Sequence, residues 1–184
     1  MTAAIFLDRD GVIIENRDNY ILNWDHVHIF PWAIEAMRLL NTLPVKIILV
    51  TNQSAIGRKL VTPEDVQDIN HHLCSIITSS GGRIDDILVC PHAPNAHCLC
   101  RKPQPGMLLT ASTRHHIDLG SSVMVGDAVS DLIAGLAVGL REVLLLKTGR
   151  GIHQLPKAAK LIPGQFNVFN DLLQASSHIK YLFN

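Results

Sequence analysis

The sequence has no excess of charge of either sign and no long hydrophobic run. Its 184 residues carry 16 basic and 16 acidic side chains, so the formal net charge is zero. A balanced charge gives no general attraction to nucleic acid or to an anionic membrane, and we expect neither as a partner. The apolar run VKIILV at residues 45–50 is far too short to cross a bilayer. The start, MTAAIFLD, lacks a basic leader, so we expect a cytoplasmic protein.

Cysteine is also scarce, but three of the four cysteines crowd into one segment, CPHAPNAHCLC at residues 90–100. In a cytoplasmic chain such a cluster favours a metal over disulfides. The spacing suits a closed tetrahedral Zn²⁺ site. His97 competes with His92 as the nitrogen ligand, but His97 directly precedes a cysteine, and adjacent side chains point apart. We therefore predict a structural zinc held by Cys90, His92, Cys98 and Cys100, which shapes a loop without a core of its own.

Short apolar runs alternate with helical patterns along the chain, which is typical of a βα repeat. The strands are apolar on both faces, as parallel strands covered by helices must be. We predict one domain over residues 1–184: an open doubly wound α/β sheet with helices on both faces and no large cap domain. The predicted strands lie at 4–8, 46–52, 85–90, 122–127 and 142–147, and the predicted helices at 32–42, 63–80, 106–116, 130–138 and 170–179. Residues 150–167, rich in Gly and Pro, are predicted to be loop.

Three predicted strands end in polar residues. Asp8 and Asp10 follow the first strand, TNQS (residues 51–54) follows the second, and Asp127 and Asp131 follow the fourth. In open α/β sheets ligands bind beyond the carboxyl ends of the strands. Carboxylates gathered there would repel one another without a cation, so we predict a hard divalent ion, with Mg²⁺ the usual choice beside phosphate. Asp131 is either a further ligand or a polar residue at a helix N-terminus.

These residues resemble the four motifs of the haloacid dehalogenase-like phosphatases: DRDGV, TNQS, the lysine of CRKP, and GDAVSD. The resemblance implies that Asp8 is the nucleophile, which forms an aspartyl-phosphate, and that Asp10 is the general acid and then the base. It further implies that Thr51 and Lys102 hold the phosphoryl oxygens. The Mg²⁺ ligands would be Asp8, the carbonyl of Asp10, and Asp127.

A zinc loop in a phosphatase without a cap domain resembles two subfamilies, the heptose bisphosphate phosphatases and the histidinol-phosphate phosphatase domain. The segments VTNQSAIGR and RKPQPGML look like the former. That resemblance implies that the small phosphorylated sugar D-glycero-D-manno-heptose 1,7-bisphosphate is the substrate and loses its 7-phosphate. The implied substrate-binding residues are Arg17, Asp18, Asn19, Tyr20, Asn52, Gln53, Ser54 and Arg101.

Two other functions are compatible with the sequence. The chain could instead hydrolyse histidinol phosphate or another small phosphate ester. It could also be a catalytically silent scaffold that binds a partner through the zinc loop, although the intact set of motif residues argues against this. In each case we expect a monomer.

Overall fold

The structure is a computed structural model that describes residues 1–183. Six parallel strands form one open sheet with the order β3-β2-β1-β4-β5-β6. The sheet reverses its winding direction beside β1, as doubly wound sheets do. The strands are β1 (Ala4–Leu7), β2 (Lys46–Asn52), β3 (Asp86–Cys90), β4 (Val123–Gly126), β5 (Glu142–Leu146) and β6 (Asn167–Phe169).

Within residues 1–183, seven α-helices accompany the strands. They are α1 (Pro31–Asn41), α2 (Ser54–Gly57), α3 (Pro63–Ser79), α4 (Gly106–His115), α5 (Val129–Ala137), α6 (Gly151–Leu161) and α7 (Leu172–Phe183). Short 3₁₀ turns lie at Trp24–His26 and Leu119–Ser121. Within residues 1–183, no helix combines the length and apolar character that a membrane crossing requires.

Each face of the sheet has its own hydrophobic core. Successive residues of a strand point to opposite faces, so Ile5 and Leu7 of β1 pack on one side with α1, α3 and α7. Phe6 packs on the other side with α4, α5 and α6. The predicted α/β class is therefore confirmed, and the strand ends are left free to carry polar side chains.

The helix starts follow local rules. Thr62 caps α3 by accepting a hydrogen bond from the Asp65 amide, while the Asp65 carboxylate accepts one from the Thr62 amide. Pro63 occupies the first helical position, as predicted. Helix α1 begins at Pro31, one residue earlier than predicted, because proline fits the first helical position, where no backbone N–H is needed.

The prediction that residues 150–167 form a loop is wrong. They contain α6, which packs the buried Ala158 against the core, and the start of β6. Pro156 lies inside α6, where it removes one backbone hydrogen bond without ending the helix. Parallel strands need a long crossover connection, and α6 supplies the one between β5 and β6. Because β6 has only three residues, its apolar pattern is too short to predict a strand, and so the sequence gives no sign that a crossover helix is needed before it.

Candidate active site

The carboxyl ends of β1, β2 and β4 converge on a pocket of about 270 Å³. In an open α/β sheet this edge is where loop amides and helix N-termini face a ligand. The side chains around the pocket carry both signs of charge, which suits a metal together with an anion. The lining residues are Asp8, Asp10, Asn16, Arg17, Tyr20, Ile21, Thr51, Asn52, Gln53, Ser54, Arg101, Lys102, Asp127, Ala128, Ser130, Asp131 and Arg150.

Lys102 is the buried cation of this pocket. Its Nζ lies 2.9 Å from Asp8 Oδ1 and 2.7 Å from Asp131 Oδ1, and it also donates to the Val50 carbonyl at 2.6 Å. Burial would lower the pKa of Lys102, but the carboxylates of Asp131 and Asp8 outweigh it and raise that pKa above its ordinary value. The ammonium group therefore stays charged at neutral pH.

The carboxylates around Lys102 outnumber it. Burial raises the pKa of Asp8 to about 8, repulsion from Asp131, Asp127 and Asp10 adds to the rise, and Lys102 opposes it. Burial and the charge of Asp131 similarly raise the pKa of Asp127 to about 7. One lysine thus leaves the cluster short of positive charge, the condition that a bound cation relieves.

Ligand atoms of Asp8, Asp127 and Asp131 lie within 4.8 Å of one another. Asp131 is already engaged, since Oδ1 meets Lys102 and Oδ2 accepts a hydrogen bond from the Ala128 amide at the start of α5. This geometry favours the helix N-terminal alternative for Asp131. Asp8 and Asp127 are better placed to bind an ion, and oxygen ligands of this kind fit Mg²⁺.

The glycine behind the two aspartates has a steric role. Gly11 has φ +86°, a conformation that other residues rarely adopt. A Cβ on Gly11 would lie 2.1 Å from Asp127 Oδ2 and 2.5 Å from Asn16 Oδ1. Glycine is therefore required for the loop after β1 to approach the carboxylate that follows β4.

Asp10 is held by several donors at the side of the pocket. Its Oδ2 accepts hydrogen bonds from Gln53 Nε2 at 2.8 Å and from Thr51 Oγ1 at 3.4 Å. Arg9 Nη2 lies 3.1 Å from the same oxygen. Sequence reasoning missed Arg9, which looks there like a spacer between two aspartates.

Asn52 holds the backbone of Lys102 from both sides. Its Nδ2 donates to the Lys102 carbonyl and its Oδ1 accepts from the Lys102 amide, both at 3.1 Å. This pair joins the end of β2 to the loop after the cysteine segment. The Asn52 side chain is therefore engaged with the Lys102 backbone and positions that residue.

Of the predicted substrate-binding residues at positions 17–20, only two line the pocket. Arg17 and Tyr20 line the pocket, as do Ser54 and Arg101 from elsewhere in the chain. The other two members of the predicted loop, Asp18 and Asn19, are exposed and are not among the lining residues.

Arg150 is a lining residue that sequence reasoning missed. It lies four residues after the end of β5. A basic residue just beyond a strand end was the feature of the sequence that could have indicated its place in the pocket. Its backbone amide donates to Asp127 Oδ2 at 2.8 Å.

The four predicted zinc ligands lie together next to the pocket. Cys100 Sγ is 3.2 Å from both Cys90 Sγ and His92 Nδ1, and Cys98 Sγ is 3.6 Å from the other two sulfurs. A tetrahedral Zn²⁺ with Zn–S bonds of about 2.3 Å would separate its sulfurs by about 3.8 Å. The cluster is therefore close to the required geometry. His97 is exposed and lies outside it.

Sequence comparison places the chain in a family. A family model described as HAD-hydrolase-like matches residues 99–175. The D-glycero-beta-D-manno-heptose-1,7-bisphosphate 7-phosphatase of Neisseria meningitidis is 34% identical over 95% of this chain and 93% of its own. The enzyme of the same name from Pseudomonas aeruginosa is 36% identical over 95% and 96%. The chain belongs to the haloacid dehalogenase-like hydrolases.

The solved structures agree with this family. The D,D-heptose 1,7-bisphosphate phosphatase from B. bronchiseptica, complexed with magnesium and phosphate, superposes with a TM-score of 0.90 at 31% identity. The alignment covers 96% of this chain and 97% of that one. Within the haloacid dehalogenase-like hydrolases, the chain is a phosphoric monoester hydrolase.

Proposed function

We propose that the chain is a Mg²⁺-dependent phosphatase that removes the 7-phosphate of D-glycero-D-manno-heptose 1,7-bisphosphate through an aspartyl-phosphate at Asp8. One observation carries the chemistry: Asp8 lies in a pocket that also holds Asp10, Lys102 and Asp127. The names of relatives that match over nearly the full chain support the substrate.

In the first step an Asp8 carboxylate oxygen attacks the phosphorus of the 7-phosphate. A bond forms between that oxygen and phosphorus, and the bond from phosphorus to the sugar oxygen breaks. Asp10, as the acid, gives its proton to the departing oxygen, so the sugar leaves as an alcohol. Lys102 and the Thr51 hydroxyl stabilise the charge on the transferred phosphoryl oxygens.

In the second step a water molecule attacks the phosphorus of the aspartyl-phosphate. Asp10, now a carboxylate, takes a proton from that water. The bond between phosphorus and the Asp8 oxygen breaks, inorganic phosphate leaves, and both aspartates return to their starting states.

Asp8, the Asp10 carbonyl and Asp127 would hold Mg²⁺, which when bound neutralises charge on the phosphoryl group. The excess of buried carboxylates over Lys102 supports this assignment. It also accounts for the close packing of Gly11 against Asp127, which keeps the Asp10 backbone near that carboxylate.

A second phosphate on the substrate fits the charge at the pocket. Arg17, Arg101 and Arg150 all line it, in addition to Lys102. A remote dianion bound there would orient the reacting phosphate. Histidinol phosphate carries a cationic amine, which these guanidinium groups would repel, so we rank it as the second candidate.

The zinc is proposed to be structural. Its four ligands leave no open position, and the last of them, Cys100, directly precedes Arg101 and Lys102 in the chain. A folded loop at residues 90–100 would thus fix where both of these cations enter the pocket.

The two cores share one continuous sheet, which supports the proposal that residues 1–184 form one domain. A cytoplasmic location and a monomeric state stay predictions of the sequence.

A phosphate-release assay over a panel of phosphorylated sugars and histidinol phosphate tests the function. We expect kcat/KM for the heptose bisphosphate to exceed that for histidinol phosphate at least about tenfold, or roughly 1.4 kcal/mol. Comparable values, or a preference for histidinol phosphate, would contradict the substrate but not the phosphatase activity.

A further inference from the structure

Arg9 is a fully buried arginine directly behind the active site, with none of its surface exposed. A buried guanidinium needs partners for its charge and its donors. Nη2 lies 3.2 and 3.1 Å from the two carboxylate oxygens of Asp10, and Nη1 donates to Asn70 Oδ1 at 2.8 Å. Among the described residues, Nε has no partner. The orientation of the guanidinium plane therefore depends on Asp10 and Asn70.

Asn70 comes from α3. It is 6% exposed and is not among the residues that line the active-site pocket. A substrate in that pocket therefore does not contact it. Among residues 1–183, it is linked to Asp10 through the hydrogen bond that it accepts from Arg9.

We propose that Arg9 and Asn70 are positioning residues that orient the acid of the reaction. Asn70 fixes the guanidinium of Arg9, and Arg9 holds both oxygens of Asp10 so that the carboxyl group faces the oxygen of the leaving sugar. This rests on the proposed function, in which Asp10 protonates that oxygen.

The arrangement gives Asp10 contacts from two directions. Arg9 reaches it from the buried side, while Gln53 and Thr51 reach Oδ2 from the end of β2. A carboxyl group held this way loses little orientational freedom in the transition state, and proton transfer depends on such alignment. Without Asn70, the guanidinium could turn about its stem and release one Asp10 oxygen.

The test compares two substrates that differ in their need for an acid. The alkoxide of a sugar must be protonated as it leaves, whereas p-nitrophenolate leaves readily without a proton. The measured quantity is kcat/KM, because it covers the steps up to departure of the leaving group and excludes the later hydrolysis that both substrates share.

The main variant is Asn70→Leu, which keeps the volume but removes the acceptor. We expect kcat/KM for the heptose bisphosphate to fall about tenfold and that for p-nitrophenyl phosphate to fall less than about twofold. Asn70→Asp keeps the acceptor and should stay within about threefold of wild type on both substrates. Gln67→Leu, at an exposed position of the same helix, controls for a general effect on α3.

Asp10→Asn removes the acid itself and shows how far kcat/KM for each substrate falls without it. If Asp10→Asn slows both substrates equally, Asp10 is not the acid, and the proposed mechanism falls together with this proposal. If Asp10→Asn slows mainly the sugar phosphate but Asn70→Leu slows both equally or neither, only the positioning proposal is overturned. Failure of Asn70→Asp to retain activity on the sugar phosphate would also count against it.

Discussion

Lys102 Nζ lies 2.9 Å from Asp8 Oδ1, and the two side chains are only 2% and 12% exposed. The same ammonium group contacts Asp131 at 2.7 Å. Removing one partner of a buried ion pair leaves an uncompensated charge, which is costly. The pair therefore links the stability of the fold to the site that performs the reaction.

Lys102→Met tests that link. It should lower the free energy of unfolding by about 3 kcal/mol, and it should lower kcat/KM at least about a hundredfold because the transferred phosphoryl group loses a fixed cation. Denaturant unfolding and steady-state kinetics measure the two effects. Lys147→Met, at an exposed lysine, is the control. A stable and fully active Lys102→Met would show that the contact is incidental.

The proposal that the Cys/His cluster at residues 90–100 holds zinc predicts the metal content and the stability of the protein. Metal analysis should find about one zinc per chain, since four ligands close one tetrahedral site. Cys98→Ser should lower both the melting temperature and the activity, because the loop that carries Arg101 and Lys102 loses its anchor. Cys74→Ser, at the cysteine outside the cluster, should change neither strongly. A metal-free preparation with full stability would rule out the structural role.

Arg101→Ala tests recognition of the second phosphate. It should lower kcat/KM for the heptose bisphosphate more than kcat/KM for histidinol phosphate, so the ratio of the two values becomes smaller. Arg141→Ala, at an exposed arginine near the amino end of β5, is the matched control. An unchanged ratio of the two kcat/KM values in Arg101→Ala would show that Arg101 does not recognise the second phosphate.

Asp86 gives a prediction for the dependence of stability on pH. It accepts hydrogen bonds from Arg114 at 2.8 Å and from His115 at 2.7 Å. Burial would raise the pKa of Asp86, but these hydrogen bonds outweigh it and hold that pKa below the ordinary 3.8. The stabilisation is therefore present above pH 3.8 and is lost as the pH falls through the lower, folded-state pKa.

Asp86→Asn should thus reduce the free energy of unfolding near pH 6 by at most about 1 kcal/mol, since solvent screens the pair. The difference from wild type should shrink as the solution is acidified below pH 3.8. Urea unfolding at several pH values measures it, with Asp68→Asn on the exposed side of α3 as the control. A deficit that grew with acidification would mean that folding does not lower the pKa of Asp86.

The sequence was most informative where a signal is local. The members of the Cys/His cluster lie within one short segment, and the capping pattern at Thr62 lies within four residues, so the clustering and the helix start could both be predicted. The convergence of Asp8, Thr51 and Asp127 was also predictable, because parallel strands end at one edge of the sheet.

Features that depend on distant partners could not be predicted in this way. Arg9 is buried, and one of the partners of its guanidinium is Asn70, which lies on another element far along the chain. Helix α6 could not be recognised from the sequence because Pro156 disfavours a helix interior. In the structure, the packing of Ala158 and the connection from β5 to β6 outweigh that preference. Tertiary packing determines both the burial of Arg9 and the formation of α6, and a local sequence pattern gives no information about tertiary packing.

The most direct test of the central claim follows heptose 1,7-bisphosphate by ³¹P NMR in the presence of Mg²⁺, with wild-type protein and with Asp8→Asn. Wild type should convert the 7-phosphate signal to inorganic phosphate while the 1-phosphate signal persists. Asp8→Asn, folded as judged by circular dichroism, should be slower by more than about a thousandfold because it lacks the nucleophile. Loss of the 1-phosphate first, or near-normal phosphate release by Asp8→Asn, would contradict it.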